Sequence, residues 1–354
     1  MKPQLGIIEG YFGRAWCWED RARVVDTLAP AGYSFYHYAP KIDGRLRRDW
    51  QNLHDEQDYA ALGAFAAHCK SAGVRFGIGL TPYGAHLDFN ADTRAALKTK
   101  LAHLSALGLD DLAILFDDMR GDFDDLAMRQ GEIVRFCLDH ARAGRFFMCP
   151  SYYSHDPLLD RVFGKRPEAY LETLGQQLDP AVAVYWTGEE VCSRAYSNGH
   201  LGDVSAQLGR KLALWDNYPV NDGPRMANHL HLRAFTGRPA NLGTHVSHHA
   251  VNPASQPLLG CIPALTLPRC YAEGDAYRYG AAFFDAACTV AGPDLAAMLQ
   301  ADLLSFHDGG LTGLGERRAK LRAKYAVVDH PAAREVVDWL DDGYAITGEM
   351  LQTQ

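Results

Sequence analysis

Eight short apolar runs, each rich in β-branched or aromatic residues, punctuate the chain at 5–9, 35–40, 76–82, 112–118, 145–152, 181–188, 212–219 and 244–252. They recur about every 30 to 40 residues, the repeat length of a strand–helix unit. Between them, 58–72 and 93–107 carry apolar residues at i, i+3 and i+4, the period of a helix with one buried face. Gly73 and Gly108 follow these two segments, where a left-handed C-cap residue belongs. Alternation of strand and helix predicts a parallel sheet, and eight near-equal units predict its closure: an α/β fold, specifically a (β/α)8 TIM barrel. An open dinucleotide-binding sheet is the lesser alternative, since Gly10 and Gly13 give only a weak echo of G-x-G-x-x-G.

Beyond about Tyr271 the strand signal stops, and 281–290, 294–306, 316–327 and 332–341 read as helices. The predicted organisation is a catalytic barrel over 1–270 and a C-terminal helical extension over 271–354. The extension would close the barrel base, widen its outer ring or form a homodimer contact.

The 47% hydrophobic and 22% charged composition is that of an ordinary globular chain able to bury a large core. A net charge of −8 with no Lys/Arg run argues against a nucleic-acid partner. Charges interrupt the apolar stretches too often for a bilayer span, and the first residues enter a strand without a signal-peptide core, so a cytoplasmic protein without a membrane partner is expected. The eight cysteines contain no C-x-x-C and read as thiols, with Cys261 and Cys270 the one pair that could bridge.

In an α/β barrel the chemistry sits where the strands end. Those positions hold Glu9-Gly10, Lys41, Tyr83, Asp117-Asp118, Tyr153, Trp186-Thr187, Trp215 with Asn217 and Asp222, and Asn252. Carboxylates, amides, a lysine and flat aromatic faces are what a sugar ring requires. Asp117 and Asp118 close the very apolar run 112–116, where two adjacent charges are costly unless they emerge at a functional rim. Their adjacency also constrains mechanism. A conventional glycosidase sets its two carboxyl groups on opposite faces of the scissile bond, which neighbouring residues cannot easily do. They can instead serve the glycosidic oxygen and a 2-substituent from one side, as in substrate-assisted hydrolysis.

Taken together, Glu9-Gly10-Tyr11-Phe12-Gly13-Arg14, Tyr38-Ala39-Pro40-Lys41, Phe116-Asp117-Asp118-Met119, Trp186-Thr187-Gly188 and 215–222 (Trp-Asp-Asn-Tyr-Pro-Val-Asn-Asp) closely resemble glycoside hydrolase family 84. That family comprises O-GlcNAcases and bacterial β-N-acetylglucosaminidases, and the resemblance runs from about 5 to 255. It implies a retaining exo-β-N-acetylglucosaminidase that removes terminal β-linked GlcNAc from a glycoprotein, glycopeptide or oligosaccharide through an oxazoline, with no cofactor. By the same resemblance Asp117 would orient the acetamido N–H, and Asp118 would act as general acid and then base. Tyr153 and Asn217 would hold the acetamido or oxazoline region. Asp222 would bind the 4- and 6-hydroxyls with Lys41, Asn252 and the Gly10 backbone, and Trp215 would wall the acetamido methyl.

Other readings stay open at this level. The same scaffold could serve as a β-N-acetylgalactosaminidase or hyaluronidase-like enzyme. A metal-dependent barrel hydrolase would use an aspartate with His245, His248 and His249, although strand alternation sends His248 and His249 to opposite faces. His229 and His231 meet the same objection. A catalytically inactive sugar-binding barrel is the remaining alternative. Tyr83, Trp186 and Tyr271 could line an aglycone groove or simply pack the barrel.

Overall fold

A computed structural model describes residues 2–347. Eight parallel strands close into one barrel in sequence order: β1 Gln4–Glu9, β2 Tyr33–Tyr38, β3 Arg75–Leu80, β4 Asp111–Leu115, β5 Arg145–Cys149, β6 Ala183–Trp186, β7 Leu212–Asp216 and β8 Val246–Val251. Closure runs through β1 and β8, with Gln4 opposite His248 and Ile7 opposite Val251. Each strand lies on one of the eight apolar runs, and most are shorter than the run. The surplus residues, Asp117 and Asp118 among them, lie just beyond the strand and form the rim.

Helices Glu56–Ser71 and Ala91–Ser105 begin at Asp55 and Asn90, whose side chains accept the N–H groups of Asp58 and Thr93. Gly73 and Gly108 follow them at φ 73° and 70°, a region closed to most side chains, so both helices end where the sequence places their stops.

The barrel interior is aromatic and polar. Phe35, Phe147 and His248 meet near its lower end, with Phe147 4.9 Å from His248, while Tyr185 stacks edge-on to Trp215 at 5.4 Å higher up. Between them runs a buried chain that the apolar pattern does not reveal. His37 lies 3.1 Å from Asp111 and 2.7 Å from the Tyr185 hydroxyl, and Arg75 reaches Asp111 at 3.2 Å. Burial opposes ionisation of Asp111, but hydrogen bonding by His37 and the charge of Arg75 outweigh it and hold the carboxyl below its usual range.

The extension contains the helices Tyr279–Leu304, Arg317–Ala326 and Pro331–Leu340. The first bends where Gly292, at φ 77°, precedes Pro293. Against the sequence expectation, the stretch Tyr279–Leu314 is long and apolar enough to cross a membrane, by length and composition alone. Its charges, Asp285, Asp294, Asp302 and Asp308, are spaced widely enough that an 18-residue window within it holds no more than two. In the fold 44% of that window is buried, in a second apolar cluster that Phe283, Leu295 and Leu299 share with Leu258, Ile262, Val336 and Trp339. Glu335 joins the extension to the barrel by accepting the N–H groups of Leu258 and Leu259 at 2.9 and 2.8 Å, the open start of helix Pro257–Glu273. All eight cysteines are free, Cys261 and Cys270 included.

Candidate active site

The strand ends bring most of the expected residues to one rim. Asp117 is buried, and one of its carboxylate oxygens accepts from the Lys41 ammonium. The other oxygen, Oδ1, has no hydrogen-bond partner among the described residues. Asp118 is half-buried and accepts the Tyr153 hydroxyl at 2.9 Å. Its backbone sits at φ 58°, in the left-handed region that a non-glycine residue occupies at a cost of about 1 kcal/mol or more. Such strain is typical where the chain must aim a side chain.

The two aspartates are held in opposite directions. Burial works against ionisation of Asp117, but Lys41 and then Arg47 overcome it and keep the carboxyl below the usual range. Burial and then repulsion from Asp117 push Asp118 up. Burial likewise lifts Asp222 to about 6, opposed by the Phe12 N–H, which donates to it at 2.9 Å. The two neighbouring carboxyls are thus pushed apart, Asp117 toward the ionised form and Asp118 toward the protonated one, the direction that general acid chemistry needs.

Around them the wall is tightly interlocked. Asn252 donates to Asn217 Oδ1 at 2.9 Å and accepts from the Gly10 N–H at 3.2 Å, while Asn217 donates to the Val191 carbonyl at 2.8 Å. The Lys41 ammonium lies 5.5 Å from the Trp215 ring centre. A Cβ on Gly10 would fall 2.2 Å from Trp215 Cζ2, so only glycine lets that indole pack here.

In the free protein, Lys41 pairs with Asp117 and the Gly10 N–H donates to Asn252. Trp186 is fully buried and donates to His200, Tyr271 bonds His249 at 2.7 Å, and Glu9 grips Arg21 and the Tyr36 hydroxyl. These three positions pack the barrel and do not face the rim pocket. The histidines do not converge. His248 lies among Phe35 and Phe147, His249 bonds Asp216 at 2.9 Å, and His245 caps a short turn before β8. Arg47 and Phe12 enter the site without having been singled out. Nothing in the local pattern separates Arg47 from Arg45 and Arg48, and Phe12 contributes its backbone N–H to Asp222 and its ring to the Arg47 guanidinium.

Fold and site together define a closed (β/α)8 barrel whose strand-end rim gathers carboxylates, amides, a lysine and aromatic rings. A family model described as beta-N-acetylglucosaminidase matches residues 5–304, and the chain belongs to this family, glycoside hydrolase family 84. The mouse and rat proteins named Protein O-GlcNAcase are each 27% identical over 258 residues, which is 70% of this chain. The chain spans only 28% of the length of either. A solved structure of a mutant O-GlcNAc hydrolase from Thermobaculum terrenum superposes with a TM-score of 0.79 at 25% identity, covering 95% of this chain and 80% of that one.

Proposed function

We propose that this protein is a retaining exo-β-N-acetylglucosaminidase that removes terminal β-linked GlcNAc with the substrate's own acetamide as nucleophile. The observation that carries this reading is the adjacent carboxylate pair at the rim, Asp117 held by Lys41 with its Oδ1 unpartnered among the described residues and Asp118 accepting from Tyr153. Residues next to each other in the chain have Cα atoms only about 3.8 Å apart. They address one side of a sugar, so neither is placed as a nucleophile on the face opposite the leaving group.

In the first step Asp118 gives its proton to the glycosidic oxygen as the bond from that oxygen to C1 breaks. The acetamido carbonyl oxygen attacks C1 from the other face, and Asp117 takes up the amide N–H through a hydrogen bond or the proton itself. The unpartnered Oδ1 of Asp117 is the acceptor suited to that N–H. In the second step Asp118, now ionised, removes a proton from water as the water oxygen bonds to C1 and the oxazoline ring reopens. Two inversions return the β-anomer. In this reading Tyr153, whose single O–H donates to Asp118 in the free protein, turns that donor to the oxygen of the oxazoline.

A panel of aryl glycosides tests this reading: N-acetyl-β-glucosaminide, its galacto epimer and the β-glucoside, with the product anomer followed by NMR. Turnover of the first, release of the β-anomer and at least 100-fold slower turnover of the glucoside are expected. Comparable turnover of the glucoside, or an α product, would remove the acetamide from the mechanism. Faster turnover of the galacto epimer would reassign the sugar.

A further inference from the structure

The C-terminal extension touches the loops that follow β1, β7 and β8, three strands adjacent in the closed barrel, and so packs on the rim that carries the candidate site. Its segment Ser305–Gly309 is a single π-helical turn, a rare form found most often at functional sites. The Phe306 and His307 carbonyls of this turn accept the Leu230 N–H at 3.2 Å and the His229 ring N–H at 3.0 Å. Just past it, Thr312 and the Asn228 side chain exchange two hydrogen bonds, at 3.0 and 3.2 Å. Gly310, at φ 64°, is pressed against the same loop: a Cβ there would fall 2.6 Å from the Asn228 carbonyl oxygen.

From this loop the hold passes to the residues just before Asp222. Asn221 is fully buried; its amide nitrogen donates to the His229 carbonyl and to Gln256 Oε1, each at 2.9 Å, and its Oδ1 accepts the Ser255 N–H at 2.9 Å. The His231 ring N–H reaches the Pro219 and Val220 carbonyls, each at 3.0 Å. Asp222 in turn accepts the Phe12 N–H at 2.9 Å, from the loop after β1. That loop also rests on the extension, since a Cβ on Gly13 would fall 2.4 Å from Ile346 Cδ1 and the Arg14 guanidinium lies 5.5 Å from the Tyr344 ring centre. The extension thus backs both partners of the Asp222–Phe12 hydrogen bond.

Resting on the function proposed above, we infer that the extension is a positioning element for the hydrolysis: its turn 305–312, through Asn228 and His229, and Ile346, through Gly13, fix the Asp222 carboxyl at the rim. Asp222 is half-buried on a loop outside the strands, and a carboxylate accepts the hydroxyls of a sugar only from the distance at which its backbone holds it. A shift of about 1 Å in that loop is enough to lose such a contact.

The test is a double-mutant cycle in kcat/KM with the wild type, Gly310→Ala, Asp222→Ala and the double variant. The substrate is 4-methylumbelliferyl N-acetyl-β-glucosaminide, whose fluorescent product allows slow variants to be followed. Gly310→Ala, which alters no atom at the rim, is expected to slow the wild type about tenfold, the effect of losing one hydrogen bond to a charged group, and to have little further effect once Asp222 is Ala. The same fold-loss in both backgrounds would overturn the inference, because the extension would then act elsewhere than through Asp222. An undiminished rate in Gly310→Ala, or in Asp222→Ala, would overturn it too. Should Gly310→Ala fail to unfold cooperatively in urea, Asn228→Ala takes its place in the cycle, with a loss of about threefold expected that again vanishes without Asp222. Failure of the underlying function shows separately in the wild type, as equal turnover of the aryl β-glucoside.

Discussion

Lys41 holds Asp117 from one side while Tyr153 donates its hydroxyl to Asp118 from 2.9 Å, so two identical side chains stand in different surroundings, as the proposed division of tasks requires. If Asp118 is the acid, Asp118→Asn should lose about 10²–10⁴-fold on an alkyl or sugar aglycone, which needs protonation to leave. On a 2,4-dinitrophenyl glycoside, whose leaving group needs none, the loss should be much smaller. Steady-state kcat/KM on the two substrates checks this, and equal losses would take the acid role from Asp118. Both aspartates were legible from the sequence, because two charges that end a run as apolar as 112–116 need a reason to be there. Arg47 was not. Its burial between Phe12 and Tyr83 depends on how the loop after β2 folds back and leaves no mark in residue order.

At the level of elements, the strands do two jobs at their two ends. Their C-terminal ends carry the pocket, and lower in the barrel β2, β3, β4 and β6 share the buried chain of His37, Arg75, Asp111 and Tyr185. Asp111→Ala strands His37 and Arg75 without their common acceptor and should cost about 3–5 kcal/mol in urea unfolding. An unchanged midpoint would show that the chain contributes nothing net. The pH dependence follows from the depressed carboxyl. The folded form binds its proton less readily than the unfolded chain, so the contribution is complete above the unfolded value of about 3.9 and is lost as pH falls through the lower folded value. The difference in stability between wild type and Asp111→Ala should therefore shrink below about pH 4. A difference constant down to pH 2 would place the effect in packing. Strand positions were readable because period and length are local signals. This interior polar chain was not, since Asp111 at the start of β4 resembles any solvated strand end until the barrel closes over it.

On the scale of the whole molecule, the barrel and the extension share an apolar cluster and several polar contacts, among them Glu335 and the Trp339 indole N–H, which donates to the Ala227 carbonyl. Leu258 and Ile262 contribute to the cluster from the barrel side, and Glu335 caps the helix that carries them. Glu335→Ala uncovers two backbone N–H groups within that contact and should cost about 2 kcal/mol in urea unfolding. Glu335→Gln, which keeps one acceptor, should cost less. An unaltered midpoint in Glu335→Ala would show that this cap contributes nothing net to the contact. The barrel's closure was legible because eight repeats at near-equal spacing admit few other folds. The apolar stretch Tyr279–Leu314 misled in detail, because what it packs against is set by the tertiary contact and not by its own composition.

The central claim is that the attacking atom is the acetamido oxygen of the substrate. It is tested most directly by kcat/KM along a series of aryl β-glucosaminides bearing N-acetyl, N-fluoroacetyl, N-difluoroacetyl and N-trifluoroacetyl groups. Each fluorine withdraws electrons from the carbonyl oxygen and leaves the glycosidic bond nearly untouched. The proposed mechanism predicts a steep, progressive fall in rate across the series; a rate independent of fluorination would contradict it and would require a nucleophile supplied by the protein.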